Sequence, residues 1–390
     1  MKKLLFMVSS MNIGGVEKSL LSLLSSIPRE NYEITVLLLE KKGGFLNHIP
    51  SWIKVEEASW FKEIKPIIME APQLTFKNYI NKSRYIDASL FVCSYFIDKY
   101  FKKRYFYYKN ILRGIPIKEE EYDVAIAYAG PTEIIDSYIT HKVKAKKKIG
   151  WVHFDISKHK INTNLYLKLY SKMDGIFIVS KEGKDRFDEK FPKLSNKSTV
   201  FKNIISKEVI RKMACERVDF DNSFKGIKIV TVGRLSIEKG QDLGIKALAK
   251  LKEDGYKVRW YCIGEGNSRA KYEEIIKEYK LKDDFILLGA KTNPYPYMKM
   301  ADIYVQTSRH EGYCLTLAEA KVLNKTIITT NFVGAKEQMK NQGLEFIVEC
   351  NDYSLYSKIK SFIDDKLTSY FDYNEGEKYE AKNKHYSSCI

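Results

Sequence analysis

Short apolar runs alternate along the chain with polar stretches of helical spacing. Residues 4–8 form an apolar run of strand length. The loop "SSMNIGG" follows, and then Val16, Leu20, Leu21, Leu23 and Leu24 recur on one helical face before a second apolar run at 34–39. Strand, glycine turn, helix, strand is how a parallel α/β sheet begins. Strand-like runs return at 123–128, 147–153, 175–180 and 198–203, with polar, helix-like segments between the later ones. The order then restarts. "IKIVTVGRL" reads as strand and turn, "DLGIKALAKLK" as helix, "VRWYCIGEG" as strand and turn, and "SRAKYEEIIKEYK" as helix. "FILLGA", "IYVQTS", "TIITTN" and "EFIVE" continue as strands.

Each half therefore reads as a doubly wound, Rossmann-like α/β domain. The expected division is an N-terminal domain over 1–203, a polar linker of weak periodicity over 204–223, and a C-terminal domain over 224–370. A Tyr/Lys-rich tail, 371–390, is expected to pack back on the first domain. Two such domains facing one another would form a cleft at the carboxyl ends of their strands, where open α/β sheets bind ligands.

The composition fits this picture. A chain of 390 residues with 44% hydrophobic and 29% charged residues can fill two cores. Its net charge of +17 and pI near 9.2 call for an anionic partner, whether nucleic acid, nucleotide phosphates or an acidic membrane surface. The six cysteines are scattered without ligand spacing, which points to reduced thiols in a cytosolic protein and no zinc site. The start "MKKLLFMVSSMNIGG" imitates a secretory signal, but its apolar run is short and ends at a glycine turn, so a buried first strand is expected. No stretch approaches the roughly 18 apolar residues of a spanning helix, so the expected protein is soluble or peripheral.

Several turns carry candidate chemistry. In "GRLSIEKGQ", Arg234 and Lys239 lie on a loop between a strand and a helix, and two cations there suit a departing diphosphate; two solvated charges are the bland alternative. Gly14 and Gly15 stand at a helix start, where backbone N–H groups can approach a phosphate, or they make a plain tight turn. "CIGEGNSR" lacks a third glycine and reads as a tight turn. "DFD" at 219–221 precedes a strand and is a poor metal site, so no catalytic metal is expected. His153, in "WVHFDIS", ends a strand beside Trp151 and Phe154, as a structural residue or one that touches substrate. In "RHEGYCLTLAEA", Glu311 precedes a helix start near Leu315. There the N–H groups of Tyr313, Cys314, Leu315 and Thr316 would form an anion site, and Glu319 lies one turn into the helix. Each carboxylate can accept from vicinal hydroxyls, as sugars and ribose present them.

In combination these segments resemble glycosyltransferase family 4 (group 1 glycosyl transferases), retaining enzymes of the GT-B fold. The likeness covers most of the chain. It is strongest from "GRLSIEKG" through "IGEGNSR", "LLGAK" and "ADIYVQTSRHEGYCLTLAEA" to "TTNFVGAKEQ", and weak between about 55 and 115. The resemblance implies that Arg234 and Lys239 hold the donor diphosphate. It implies that Glu311, first of an E-x7-E pair, binds donor-sugar hydroxyls and that Glu319 binds ribose. The turn from Gly312 through Tyr313, Cys314 and Leu315 to Thr316 would contact sugar and phosphate. His153 would lie at the donor sugar, Gly15 under the phosphates, and Leu288 and Gly289 at the base. Two places depart from the family pattern. Tyr313–Cys314 stands where Phe-Gly is common, and Val333-Gly334-Ala335-Lys336-Glu337 stands where Gly-Gly-x-x-Glu is usual.

The expected activity is metal-independent, cofactor-free transfer of a sugar, by default from a UDP-sugar, to a glycan or lipid-linked acceptor of an envelope polymer. Residues 91–109, "FVCSYFIDKYFKKRYFYYK", interleave aromatics with cations, which suits either an anionic membrane surface or a core helix with a basic face. Three alternatives stay open. A nucleotide-sugar epimerase would use the same fold, a non-catalytic sugar-nucleotide binder would keep the site alone, and a basic protein binding nucleic acid or membrane would explain the charge.

Overall fold

The computed structural model describes residues 1–157, 161–221, 223–340 and 343–375. The chain divides into two compact units, Met1–Ile204 and Ile205–Ile390.

In chain order the first unit comprises β1 (Lys2–Val8), α1 (Gly15–Ser26), β2 (Tyr32–Leu38) and β3 (Lys54–Glu57). Four helices follow, α2 (Phe61–Met69), α3 (Pro72–Asn81), α4 (Tyr85–Phe101) and α5 (Arg104–Ile111). Then come β4 (Lys118–Gly130), α6 (Glu133–Lys142), β5 (Val143–Val152), α7 (Thr163–Ser171), β6 (Gly175–Ile178), α8 (Lys181–Lys190) and β7 (Ser198–Val200). The strands are parallel, in the order β3-β2-β1-β4-β5-β6-β7. β1 lies inside the sheet and is buried continuously from Leu4 to Val8, as a parallel strand covered on both faces requires. Its chain direction puts "SSMNIGG" at the carboxyl end of the sheet.

The sequence pattern did not show β3. Its residues, Lys54-Val55-Glu56-Glu57, are mostly charged because this is an edge strand. Glu56 is held by Lys54 at 2.7 Å and Lys118 at 2.6 Å. The weakly patterned stretch before β4 is the four-helix insertion. Residues 91–109 are not one helix: α4 ends at Lys102, in the left-handed conformation at φ 54°, and α5 starts afresh at Arg104. The aromatics of α5 pack inward, with Tyr105, Tyr107 and Tyr108 all buried. Arg104 binds Glu133 of α6 at 2.7 Å and Asp98 at 3.0 Å, and the Tyr108 hydroxyl donates to Glu133 at 2.9 Å. The insertion is thereby fastened to the main sheet's helical layer.

The second unit contains α9 (Lys207–Met213), β8 (Ile227–Val232), α10 (Gln241–Glu253), β9 (Val258–Ile263), α11 (Arg269–Glu278), β10 (Phe285–Leu287) and α12 (Tyr295–Met300). It continues with β11 (Ile303–Gln306), α13 (Leu315–Val322), β12 (Thr326–Thr330), α14 (Ala335–Met339), β13 (Ile347–Val348) and α15 (Asp352–Glu375). Its sheet is parallel, in the order β10-β9-β8-β11-β12-β13. Both sheets therefore have the doubly wound order, with switch points between β1 and β4 and between β8 and β11.

Two boundaries differ from expectation. The segment 204–223 is not a linker: it contains α9, and Ile210, Ala214 and Phe220 are buried with Val230, Tyr261 and Tyr304 in the second unit's core. Its weak periodicity reflects a helix of only seven residues followed by an irregular strap. At the other end the second unit runs past 370. α15 buries Leu355, Ile359 and Ile363, spaced four apart, against the core under α10, each contributing about 1.5–3 kcal/mol of burial. Lys250 pins its first turn through Asp352 at 2.5 Å. The rest of the expected tail, 376–390, lies outside the described residues.

Candidate active site

The loops after β8 and β11, 233–240 and 307–314, flank the switch point of the second sheet, and they carry Arg234, Lys239 and Glu311. They are bound closely together. The Arg309 N–H donates to the Glu238 carbonyl at 2.7 Å, and the Thr307 hydroxyl donates to the Lys239 carbonyl at 2.7 Å. The Arg309 guanidinium grips Asp242 with two bonds, at 2.8 and 2.6 Å. Gly240, at φ +64°, permits the approach, because a Cβ there would lie 2.3 Å from the Thr307 carbonyl oxygen.

Within this frame Lys239 Nζ meets Glu311 Oε1 at 2.5 Å. The same oxygen accepts from Ser308 Oγ at 2.7 Å and from Gln306 Nε2 at 3.4 Å. Gln306 is itself held, its Oε1 accepting from the Tyr304 hydroxyl and from Thr316 Oγ1 at 3.2 Å. Tyr304, Gln306 and Ser308 are buried. Three donors thus converge on Oε1, while Oε2 takes no hydrogen bond among the described residues. Burial works to lower the Lys239 pKa, but the Glu311 charge outweighs it, and the ammonium is held above its usual range. Arg234 acts on the same ammonium in the opposite sense, so the two cations share one field.

Arg234 itself is exposed, and its guanidinium has no hydrogen bond or carboxylate partner among the described residues. Its stem crosses Gly266, where a Cβ would sit 2.9 Å from the arginine Cγ, and its carbonyl is fixed by Gln241 Nε2 at 2.9 Å. An uncompensated guanidinium beside a lysine suits an arriving anion.

The other expected site residues separate. α13 begins at Leu315 with Cys314 as its N-cap, so the helix start falls where the sequence placed it. The Cys314 N–H does not point to solvent, however. With the Gln338 amide oriented to satisfy both groups, it accepts from that N–H at 3.0 Å and donates to the Cys314 carbonyl at 3.1 Å. The N–H groups of Leu315 and Thr316 head the helix. Burial pushes the Cys314 thiol up to about 12, so it is a packing group and not a thiolate. Gly312 is buried and Tyr313 half-buried. Glu319 lies in α13, is 3% exposed and is hydrogen-bonded by Tyr295 of α12. Leu288 and Gly289 follow β10, and Gly289, at φ +74°, accepts from the Gly264 N–H at 2.9 Å.

In the first unit, Gly14 caps α1 and Gly15 opens it. The Glu17 carboxylate folds back over this turn, to within 2.4 Å of where a Gly14 Cβ would stand. His153 follows β5, with its ring 4.7 Å from Tyr128 and stacked on Trp151 at 5.9 Å. Burial drives its pKa down to about 3 against a backbone hydrogen bond at Tyr128, so the imidazole is neutral, and Nε2 is buried without a hydrogen-bond partner among the described residues. Asp221 of "DFD" is a structural clamp: it accepts from the Tyr261 hydroxyl and binds Arg259 at 2.6 Å, which together hold its carboxyl down at about 2. Among the described residues no group of three or more His, Cys, Asp or Glu side chains could hold a metal ion.

Sequence reasoning missed Ser308, Gln306, Arg309 and Asp242. A signal was present: Tyr304, Gln306 and Ser308 alternate along β11 and its extension, so three polar tips fall on one face of an apolar strand.

Residues 216–382, most of the second unit, match the sequence model of the family Glycosyl transferases group 1. An uncharacterized glycosyltransferase of Methanocaldococcus jannaschii is 27% identical over 202 residues, 51% of this chain and 50% of that protein. The N-acetylgalactosamine-N,N'-diacetylbacillosaminyl-diphospho-undecaprenol 4-alpha-N-acetylgalactosaminyltransferase of Campylobacter jejuni is 30% identical over 210 residues, 53% of this chain and 56% of that protein. The chain thus spans about half the length of these curated relatives. Among solved structures, HepE of Anabaena in complex with UDP and glucose has a TM-score of 0.66 at 16% identity, covering 94% of this chain and 91% of that one. That likeness shows the fold, two Rossmann-like parallel α/β domains of the GT-B class.

Proposed function

We propose that the chain is a retaining glycosyltransferase of family 4. It moves a sugar from a nucleotide-sugar, by default a UDP-sugar, to a hydroxyl of a glycan or lipid-linked acceptor. Its role is the cytoplasmic assembly of a capsule, exopolysaccharide or other envelope polymer. The observation that carries this reading is the exposed, uncompensated Arg234 beside the Lys239–Glu311 pair. A diphosphate satisfies Arg234 and draws on Lys239, and the two cations, with the start of α13, stabilise it as it leaves. The open Oε2 of Glu311 accepts donor-sugar hydroxyls while Oε1 stays clamped. The neutral His153 presents an acceptor nitrogen and no charge, which suits contact with a sugar hydroxyl. Glu319 reaches ribose only if Tyr295 releases it. These cations do the work a metal would do, so the reaction needs none. HepE was solved with UDP and glucose, and the Campylobacter relative is named for transfer to a diphospho-undecaprenol-linked sugar; both support the donor and acceptor classes.

The test is a thermal-shift panel of UDP, GDP, ADP and their sugar conjugates on wild type and Arg234→Ala. A selective shift that the variant loses supports the reading and names the base. No shift with any nucleotide overturns it. Activity that survives prolonged chelation, with product anomers assigned by NMR, then tests the metal-free and retaining parts.

A further inference from the structure

The α4 helix of the first unit is apolar on both sides. Ala88, Phe91 and Ser94 are buried, and Tyr95 packs against the core. The opposite face, Ile86, Cys93, Ile97 and Tyr100, recurs at helical spacing and is exposed, with Phe96 and Phe101 flanking it. Ile86 is 75% exposed, Tyr100 67% and Phe101 68%. A helix that is apolar all round belongs in a core or against a membrane, and its outward face here is left exposed among the described residues.

Charge identifies what covers it. Between residues 61 and 113 there are eleven lysines and arginines and four carboxylates. Two of those carboxylates, Asp87 and Asp98, are already held by Arg84 and Arg104. Lys99, Lys102 and Lys103, at the end of the stripe, are exposed and have no carboxylate partner among the described residues. Lys99 Nζ lies 5.7 Å from the Tyr100 ring and Lys103 Nζ 5.9 Å from the Phe101 ring. Aromatic and aliphatic side chains collared by unpaired lysines match a surface that is apolar below and anionic above. A second copy of this segment would offer the same surplus of cations and few carboxylates to meet them, and a nucleic acid would leave Ile86 and Ile97 in water.

We propose that the outward face of α4 docks on an anionic lipid bilayer, with Ile86, Phe96, Ile97, Tyr100 and Phe101 in the interface and Lys99, Lys102 and Lys103 on the headgroups. Among the described residues no helix is long and apolar enough to cross a membrane, so this is a surface contact. It does not depend on the sugar-transfer reading, because the test measures binding without a donor.

The test is flotation of the full chain with phosphatidylcholine vesicles, alone or with about 30% phosphatidylglycerol. The chain is expected to float with the anionic vesicles only. Binding should fall by about tenfold or more in Phe96→Ser/Phe101→Ser and, separately, in Lys99→Gln/Lys102→Gln/Lys103→Gln, with wild-type melting temperatures. No anionic-lipid dependence, or binding undiminished in both variants, overturns the proposal. A dimer in sedimentation equilibrium that the Phe variant splits, without flotation of the wild type, assigns the face to a second copy and overturns it as well. So does single-stranded RNA binding that both variants lose when vesicles do not bind.

Discussion

The two α/β units share a strand order, yet their strand ends hold opposite kinds of group. In the second unit the loops after β8 and β11 collect an exposed arginine, an ion pair and a chain of buried hydroxyl and amide groups converging on one carboxylate oxygen. In the first, the end of β5 holds a neutral histidine between aromatic rings. The first turn of α6 holds Asp136, fully buried, with Oδ2 accepting from the Thr132 N–H at 2.7 Å. The lesson is that the fold supplies a place while the side chains at the switch point decide its charge. The first unit adds the four-helix insertion, so it differs at its surface as well as at its strand ends.

If the second unit carries the charge stabilisation, Lys239→Ala and Arg234→Ala should each lower transfer by about 10²–10³, read as nucleotide release with the donor named by thermal shift. Near wild-type turnover in both would remove the contrast between the units. Ser308→Ala takes away one donor to Glu311 without touching a cation, and should lower transfer by about 10–100-fold. The thermal shift with the nucleoside diphosphate alone should be unchanged, and a matching loss of that shift would instead mean a general loosening of the loop.

Arg309→Ala unfastens the two loops from each other. It should cost about 1–2 kcal/mol in urea unfolding, with a smaller loss of activity than Ser308→Ala. A last effect, on the pH dependence of stability and not on transfer, concerns the first unit. Burial raises the Asp136 carboxyl from its ordinary value to about 8, so the folded chain keeps a proton that the unfolded chain releases near 3.8. The stability this contributes is complete below 3.8 and is lost as pH rises to about 8. Asp136→Asn should flatten that slope, seen as a higher melting temperature at pH 7 than wild type but not at pH 4.

Legibility followed the same division. The second unit was readable because its strands and helices alternate at ordinary lengths and its charged motifs sit in the turns between them. The helix start at Leu315 came from that pattern, whereas the pairing of Lys239 with Glu311 was seen only in the structure. The partner of Glu319 was not legible, since spacing places a side chain on a helix face without saying whether Tyr295 waits on that face. The strap at 205–221 read as a linker because Ile210, Ala214 and Phe220 are too sparse to show a period, although all three are buried. In the insertion, α4 is apolar on both faces and so lacks the one-sided stripe that periodicity detects.

The convergence of three donors on one oxygen of Glu311 also fixes what a glutamine there would become. Its amide would turn its carbonyl toward Lys239, Ser308 and Gln306, since an NH2 group facing those donors would be repelled. The NH2 would then occupy the Oε2 position, and an atom that, on the proposed reading, accepts hydrogen bonds from hydroxyls would be replaced by one that donates them. Glu311→Gln is therefore an inversion of hydrogen-bond polarity at an unchanged shape. It can keep a sugar in place through the sugar's own oxygens, yet it has no negative charge to set against a cationic centre as that centre forms.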